Sequence, residues 1–232
     1  MNLAPEMSRF ARVLEPEVMD SSDDAADYDA MDHGEVNRRF VADFLAARDA
    51  AGIPAALGSL DLGTGTAQIP IELCRHDPRA RVLAVDLAES MLAIGRANVA
   101  RAGLQDRITL ERVDAKGLPY PDRSFAAVMS NSIVHHFPEP RAALAEALRA
   151  LARPGLIFIR DLARPLDDKQ VHHLVEQYAG DCNHHQRQLF DDSLRAALCV
   201  AEVRELVRSL GGDPVRVQAT SDRHWTWCEV LV

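Results

Sequence analysis

The chain has 232 residues, 47% apolar and 5% aromatic, which suits one large domain or one domain with an added segment. Lys and Arg number 26 against 35 Asp and Glu, a formal charge of −9 that argues against long-range attraction to nucleic acid or anionic lipid. No apolar run approaches the roughly 18 residues a membrane span needs, so a soluble, cytoplasmic protein acting through a local site is expected.

Residues 1–10 lack the basic start and continuous apolar stretch of a secretory signal. Residues 15–32 then hold eight acidic side chains and no basic one, which predicts a surface lead-in or lid over residues 1–35. From Val36, the spacing of Val36, Phe40, Val41, Phe44 and Leu45 predicts a packing helix that stops at Gly52 and Pro54. Strand and helix then alternate. Strands are predicted over 57–62, 80–87, 107–114, 125–132 and 156–162, with helices over 67–75, 89–103 and 140–152. That alternation implies βαβ units and a parallel sheet covered on both faces.

After Pro165 two helical segments, 167–179 and 191–210, suggest a cap inserted over about 165–212 within a domain spanning 36–232. The last residues hold two alternating apolar runs joined near Ser221 to Arg223, the pattern of an antiparallel hairpin. Trp225 and Trp227 share one sheet face there, and core packing is their expected role. Cys74, Cys182, Cys199 and Cys228 form no CxxC pair, which fits a reducing compartment better than a disulfide framework or a thiolate zinc site.

The chemistry concentrates at the ends of the first strands. In DLGTGT, Asp61 closes a strand, and Gly63 and Gly65 let the backbone turn sharply and approach a ligand. A dinucleotide site uses the same type of turn, so the glycines alone do not choose a cofactor. Asp86 closes the second strand 21 residues after Gly65, where a carboxylate accepts hydrogen bonds from ribose hydroxyls, and Asp114 closes the third strand.

The segments LDLGTGTAQIPIEL, AVDLAESML, VDAKGLPYPDRSFAAVMSNSIVHHFPEP and RALARPGLIFIRDL together resemble the class I S-adenosylmethionine-dependent methyltransferases, over roughly residues 36–163. The likeness is strongest to the small-molecule branch that includes the ubiquinone and menaquinone biosynthesis methyltransferases. It implies a Rossmann-like, doubly wound α/β fold: a seven-stranded, mostly parallel sheet with a reversed C-terminal hairpin. It also implies S-adenosylmethionine as cofactor and a small-molecule methyl acceptor. Contacts to the cofactor are carried over to Asp61, Gly63, Thr64 and Gly65 in the turn, Asp86, Leu87 and Met91 after the second strand, Asp114 and Ala115 after the third, and Asn131 and Ser132 after the fourth. Tyr28 is expected to reach the cofactor from the lead-in. Three positions depart from the family pattern: Ala67 stands where a third glycine is usual, Ala126 where Asp is frequent, and Leu156 where a second glycine is common.

Methyl transfer from a sulfonium needs alignment and exclusion of water more than a base. His135 and His136 follow the fourth strand, and one of them is a candidate base for a hydroxyl, thiol or amine acceptor, with packing or cofactor contact as the competing reading. Arg160 and Asp161 after the fifth strand are candidates to face the substrate, set against an ion pair in which they are merely structural. His172/His173 and Cys182/His184/His185 have poor spacing for a metal, so no metal is assigned. A nicotinamide-dependent oxidoreductase and a nonenzymatic cofactor-binding regulatory subunit are the alternatives. No nucleic-acid or membrane partner is expected, and a homodimer is left open.

Overall fold

Residues 10–18, 20–31, 33–54 and 58–232 are described by the computed structural model. The export reading of residues 1–9 and the start of the first predicted strand at Leu57 lie outside the described residues. Each short apolar run between turn residues forms a strand: β1 Ser59–Leu62, β2 Val82–Asp86, β3 Ile108–Arg112, β4 Phe125–Asn131 and β5 Leu151–Leu162. The hairpin strands are β6 Val217–Ala219 and β7 His224–Leu231. They form one seven-stranded sheet in the order β3-β2-β1-β4-β5-β7-β6. β1 pairs in parallel with β2 and β4, β2 pairs in parallel with β3, and β6 runs antiparallel to β7. The helices are α1 Ser22–Ala30, α2 Gly34–Ala50, α3 Gln68–His76, α4 Glu89–Arg101, α5 Arg141–Ala150, α6 Asp168–Ala179, α7 His184–Ala196 and α8 Val200–Ser209. None of them is long and apolar enough to cross a membrane. This is the Rossmann-like architecture expected from the sequence.

The chain divides into two compact units. The first holds residues 18–131, 142–159 and 228–232. Its core gathers Phe40 and Phe44 of α2, which meet Phe158 edge-on at ring-centroid distances of 5.1 and 5.8 Å. Such edge-on contacts add about 0.5–1.5 kcal/mol each beyond area burial. Sequence spacing placed Phe40, Val41 and Phe44 on the buried face, but the same face also buries Arg48, whose Nη2 donates to Asp77 Oδ2 at 2.7 Å.

The second unit holds the segment ending at Glu17, residues 132–141 and residues 160–227. Leu162, Val171, Leu174, Val175, Leu194 and Ala197 form its core. Trp225 and Trp227 are buried, as their alternation implied. The Arg12 guanidinium fastens the lead-in here, donating to the carbonyls of Ala196 at 2.5 Å, His135 at 2.7 Å and Phe137 at 2.8 Å.

Three sequence expectations are corrected. The predicted helix over 191–210 is two helices, because Leu198 leaves the helical path to bridge Ala163 in parallel, and the Arg164 guanidinium donates to the Ala197 carbonyl at 3.2 Å. α7 also starts earlier, at a capping box in which Asn183 and Gln186 satisfy each other's backbone N–H groups. Strand β5 begins at Leu151 rather than 156: Leu151 is fully buried, while Arg153 and Pro154 are exposed.

Removing Asp77 would leave the buried Arg48 with only the exposed Asp49 carboxylate, 3.3 Å from its Nη2. Asp77→Ala is expected to lower stability by about 3–5 kcal/mol, read from urea unfolding, whereas a loss under about 1 kcal/mol would show that Asp49 or water takes over the charge.

Candidate active site

In the first unit, β1 and β4 lie side by side where the strand order reverses, the position at which open α/β sheets bind ligands. The chain leaves β1 through Gly63 (φ +68°), Gly65 (φ +55°) and Ala67 (φ +63°) before α3 begins. Left-handed geometry costs an L-residue roughly 1–2 kcal/mol, so Ala67 bears the strain that a third glycine would avoid. Its methyl fits because Gly95 of α4 faces it: a Cβ built on Gly95 would stand 3.4 Å from the Ala67 Cβ. The two other departures are absorbed by the core, where Ala126 and Leu156 are buried.

Asp86 holds this turn in place. Its Oδ2 accepts the Gly65 N–H at 2.7 Å and its Oδ1 the Ala88 N–H at 2.9 Å. Burial raises its carboxyl above the ordinary range, with those N–H groups opposing. Asp61 is 2% exposed, and burial pushes its carboxyl up to about 7, the Thr64 hydroxyl opposing the rise and the nearby Asp86 charge adding to it. Asp114 is different. Burial would raise it, but the Lys116 N–H at 2.9 Å and the Lys116 ammonium at 3.1 Å hold it below the usual range. Ala115 beside it is buried.

The acidic lead-in folds onto this turn. Asp20 Oδ1 accepts the Ser90 N–H at the start of α4 at 2.9 Å, where the helix dipole favours a negative charge. Ala25 packs with Ala88 and Met91, so Met91 is fixed by helix packing, with Val18 and Tyr28 alongside. Asp29 Oδ1 accepts from Gln68 at 3.2 Å and Asn98 at 3.0 Å. Tyr28 covers the turn, its ring edge 3.7 Å from where a Cβ on Gly65 would stand, and its ring lies 4.7 Å from that of His33. Leu87 is half-buried, and its carbonyl accepts from Arg112 Nε at 3.0 Å. At the end of β4, Asn131 Oδ1 is buried without a hydrogen-bond partner, a polar atom that a ligand group can satisfy.

The second unit holds the other sequence candidates. Ser132 adopts φ +60°, and its N–H donates to the Arg160 carbonyl at 2.9 Å. A short 3₁₀ turn, Val134–His136, follows. Asp161 was expected to face a substrate, but it is fully buried with both oxygens occupied. Its Oδ2 accepts the N–H groups of Val134 at 2.5 Å and His135 at 3.3 Å, and its Oδ1 accepts the Leu162 N–H at 2.6 Å and His135 Nδ1 at 2.5 Å. Burial would raise this carboxyl, yet His135 and the N–H groups hold it low. Asp161 is therefore a positioning residue. Arg160 is buried, with its Nε donating to Thr226 Oγ1 at 2.9 Å.

His135 meets a carboxylate on each side: Asp161 at Nδ1, and Glu15 Oε1 3.4 Å from Nε2. Burial opposes its charge, but Asp161 and then Glu15 outweigh that and raise its pKa. His136, stacked on it at 4.3 Å, is driven down to about 3 by burial and by His135. Its Nδ1 faces the same Glu15 oxygen at 3.2 Å. Sequence reasoning missed Glu15, since nothing in an acidic run separates one carboxylate from seven others. His172, His173, His184 and His185 are exposed, as solvated helix positions are.

Residues 60–155 match the family described as "Methyltransferase domain". Over those residues the chain is similar to methyltransferase domains. A demethylmenaquinone methyltransferase from Porphyromonas gingivalis is 37% identical over 108 residues, covering 46% of this chain and 44% of that protein. A ubiquinone/menaquinone biosynthesis C-methyltransferase from Geobacter sulfurreducens is 32% identical over 107 residues, covering 46% and 42%. The match thus spans less than half of each relative. Among solved structures, a putative S-adenosylmethionine-dependent methyltransferase from Methanococcus maripaludis superposes with a TM-score of 0.68 at 18% identity, covering 95% of this chain and 97% of that one, a likeness of fold.

Asp61 gives this domain a measurable pH signature. The folded state keeps a proton on Asp61 that the unfolded chain releases near pH 4, so folding binds protons between about pH 4 and about 7. Its contribution to stability therefore falls as pH rises through that window. Denaturant unfolding should show the advantage of Asp61→Asn over the parent growing by at most about 1.4 kcal/mol per pH unit. A difference independent of pH would overturn the protonated assignment.

Proposed function

We propose that this chain transfers a methyl group from S-adenosylmethionine to a small-molecule acceptor and releases S-adenosylhomocysteine. The observation that carries the reading is the left-handed turn after β1, pinned through Gly65 by the Asp86 carboxylate and roofed by Tyr28, inside a methyltransferase domain. The residues present fit the cofactor. The glycine turn leaves room for the methionine part, Asp86 has lone pairs to spare for ribose hydroxyls, Asp114 and Ala115 border the adenine, and the unpartnered Asn131 Oδ1 offers an acceptor at the end of β4. When bound, S-adenosylmethionine supplies a methyl group already activated by its sulfonium.

The chain's own task is alignment and exclusion of water. The lead-in serves both, since α1 is tied to the ends of α3 and α4 by Asp20 and Asp29 and sets the Tyr28 ring on the turn. We assign the lead-in as a lid on that basis. Arg160 is the candidate to hold an anionic group of the acceptor, with Thr226 orienting its guanidinium. The relatives named for demethylmenaquinone support a small-molecule acceptor.

Calorimetry on the full chain is expected to show S-adenosylmethionine binding and no heat with NAD. Asp86→Ala should weaken that binding by about 1–3 kcal/mol, because two hydroxyls lose a charged acceptor and the Gly65 N–H loses its anchor. Unchanged affinity in the variant would refute the ribose assignment, and binding of NAD in place of the methyl donor would refute the cofactor.

A further inference from the structure

We propose that Glu15, His135 and His136 form a binding site for a divalent first-row transition metal ion, with Asp161 as the residue that positions His135. Among the described residues, this is the one cluster in which three potential ligand atoms converge, all within 4.8 Å of one another. From sequence, a metal is weighed only at the later histidine doublets, and set aside there because adjacent histidines on a regular strand or helix diverge. The 3₁₀ turn after Ser132 instead stacks the two rings 4.3 Å apart with an interplanar angle of 33°.

Separations distinguish this arrangement from an ordinary ion pair. Glu15 Oε1 lies 3.4 Å from His135 Nε2 and 3.2 Å from His136 Nδ1. A charge-assisted hydrogen bond closes to about 2.7–2.9 Å, as the His135–Asp161 contact does and more. Bonds of about 2.0–2.1 Å to a tetrahedral ion put neighbouring ligand atoms roughly 3.3–3.4 Å apart. The spacing around Glu15 is thus that of a coordination edge.

Tautomers point the same way. His135 Nδ1 is committed to Asp161, which turns the Nε2 lone pair toward Glu15 when the ring is neutral. This carboxylate–histidine contact is the usual support for a metal-bound imidazole. His136 interacts with the Pro16 carbonyl, while its buried Nδ1 has no hydrogen-bond partner. Ring donation to Pro16 therefore leaves Nδ1 as the lone-pair nitrogen facing a carboxylate oxygen. Lone pairs converging in a site where the Glu15, His135 and His136 side chains are 8%, 4% and 15% exposed are repulsive unless a proton or a metal cation lies among them, and separations of 3.2 and 3.4 Å fit the larger ion. Two imidazoles and one carboxylate suit Zn²⁺, Fe²⁺ or Co²⁺ better than Mg²⁺ or Ca²⁺, and they leave a coordination position open for an acceptor heteroatom.

The test uses the full chain stripped with a chelator and titrated with Co²⁺ in the absence of methyl donor, so its outcome is independent of the cofactor reading. One Co²⁺ per chain is expected, with the intense visible bands of a four- or five-coordinate ion. Glu15→Gln and His136→Ala should each weaken binding at least tenfold, and Asp161→Asn by about 10–100-fold. His172→Ala should leave it unchanged. Circular dichroism checks that each variant folds. Should Asp161→Asn unfold, the near-isosteric Glu15→Gln decides alone. Absence of stoichiometric binding, a hexa-aqua-like spectrum, or full affinity in Glu15→Gln would overturn the site.

Discussion

The hydrogen bond from the Gly65 N–H to Asp86 ties the first crossover turn to the second, and the geometry of the cofactor unit depends on it. A turn with three left-handed residues in five positions has little intrinsic reason to hold one shape. Asp86 supplies that reason, since a charged acceptor on a backbone N–H contributes about 1.5–3 kcal/mol. The same carboxylate also accepts from Ala88 and so fixes the entry to α4. The lead-in then packs Ala25 and Tyr28 on a surface already set by this contact. A segment that docks onto a rigid turn differs in kind from one that must order it.

Much of this was legible in the sequence because it rests on periodicity and on strand ends. Short apolar runs between Gly, Pro and Asp can only be strands at that spacing, and their C-terminal residues must then fall on one edge of the sheet. Asp86 ends β2 as expected, whereas Asp61 stands one residue before the end of β1 and Asp114 two residues beyond β3. The failures have equally local causes. ALCV around Leu198 contains no glycine or proline, so the break between α7 and α8, imposed by a bridge to Ala163, leaves no mark in composition. Residues 147–152 are all helix-compatible, and only the burial of Leu151 shows where the strand takes over.

Long-range pairing explains what was missed at the histidine doublet. Glu15 and His135 lie 120 residues apart, and neither residue type says that they meet. The lead-in looked like one solvated acidic stretch, yet it contributes to both units: Glu15 stands against His135 and His136 in one, and Asp20 and Asp29 bind α3 and α4 in the other. Net charge described the stretch correctly as a whole and concealed the division of labour within it.

Two buried aspartates show why burial alone does not decide a charge state. Asp61 and Asp161 have similarly low exposure, 2% and 0%. Among the described residues no cation acts on Asp61, and the neighbouring Asp86 adds repulsion, so the proton stays on to about 7. Asp161 has an imidazole at 2.5 Å and three backbone N–H groups, and its proton leaves more readily than in water. Desolvation is comparable in the two cases, so the donors decide. Asp61 thus keeps a charge in reserve that a bound cation can draw out, whereas Asp161 has spent its charge on holding one ring in one orientation. A carboxylate of the first kind belongs where a positively charged ligand arrives, and one of the second kind belongs behind a ligand that must not turn.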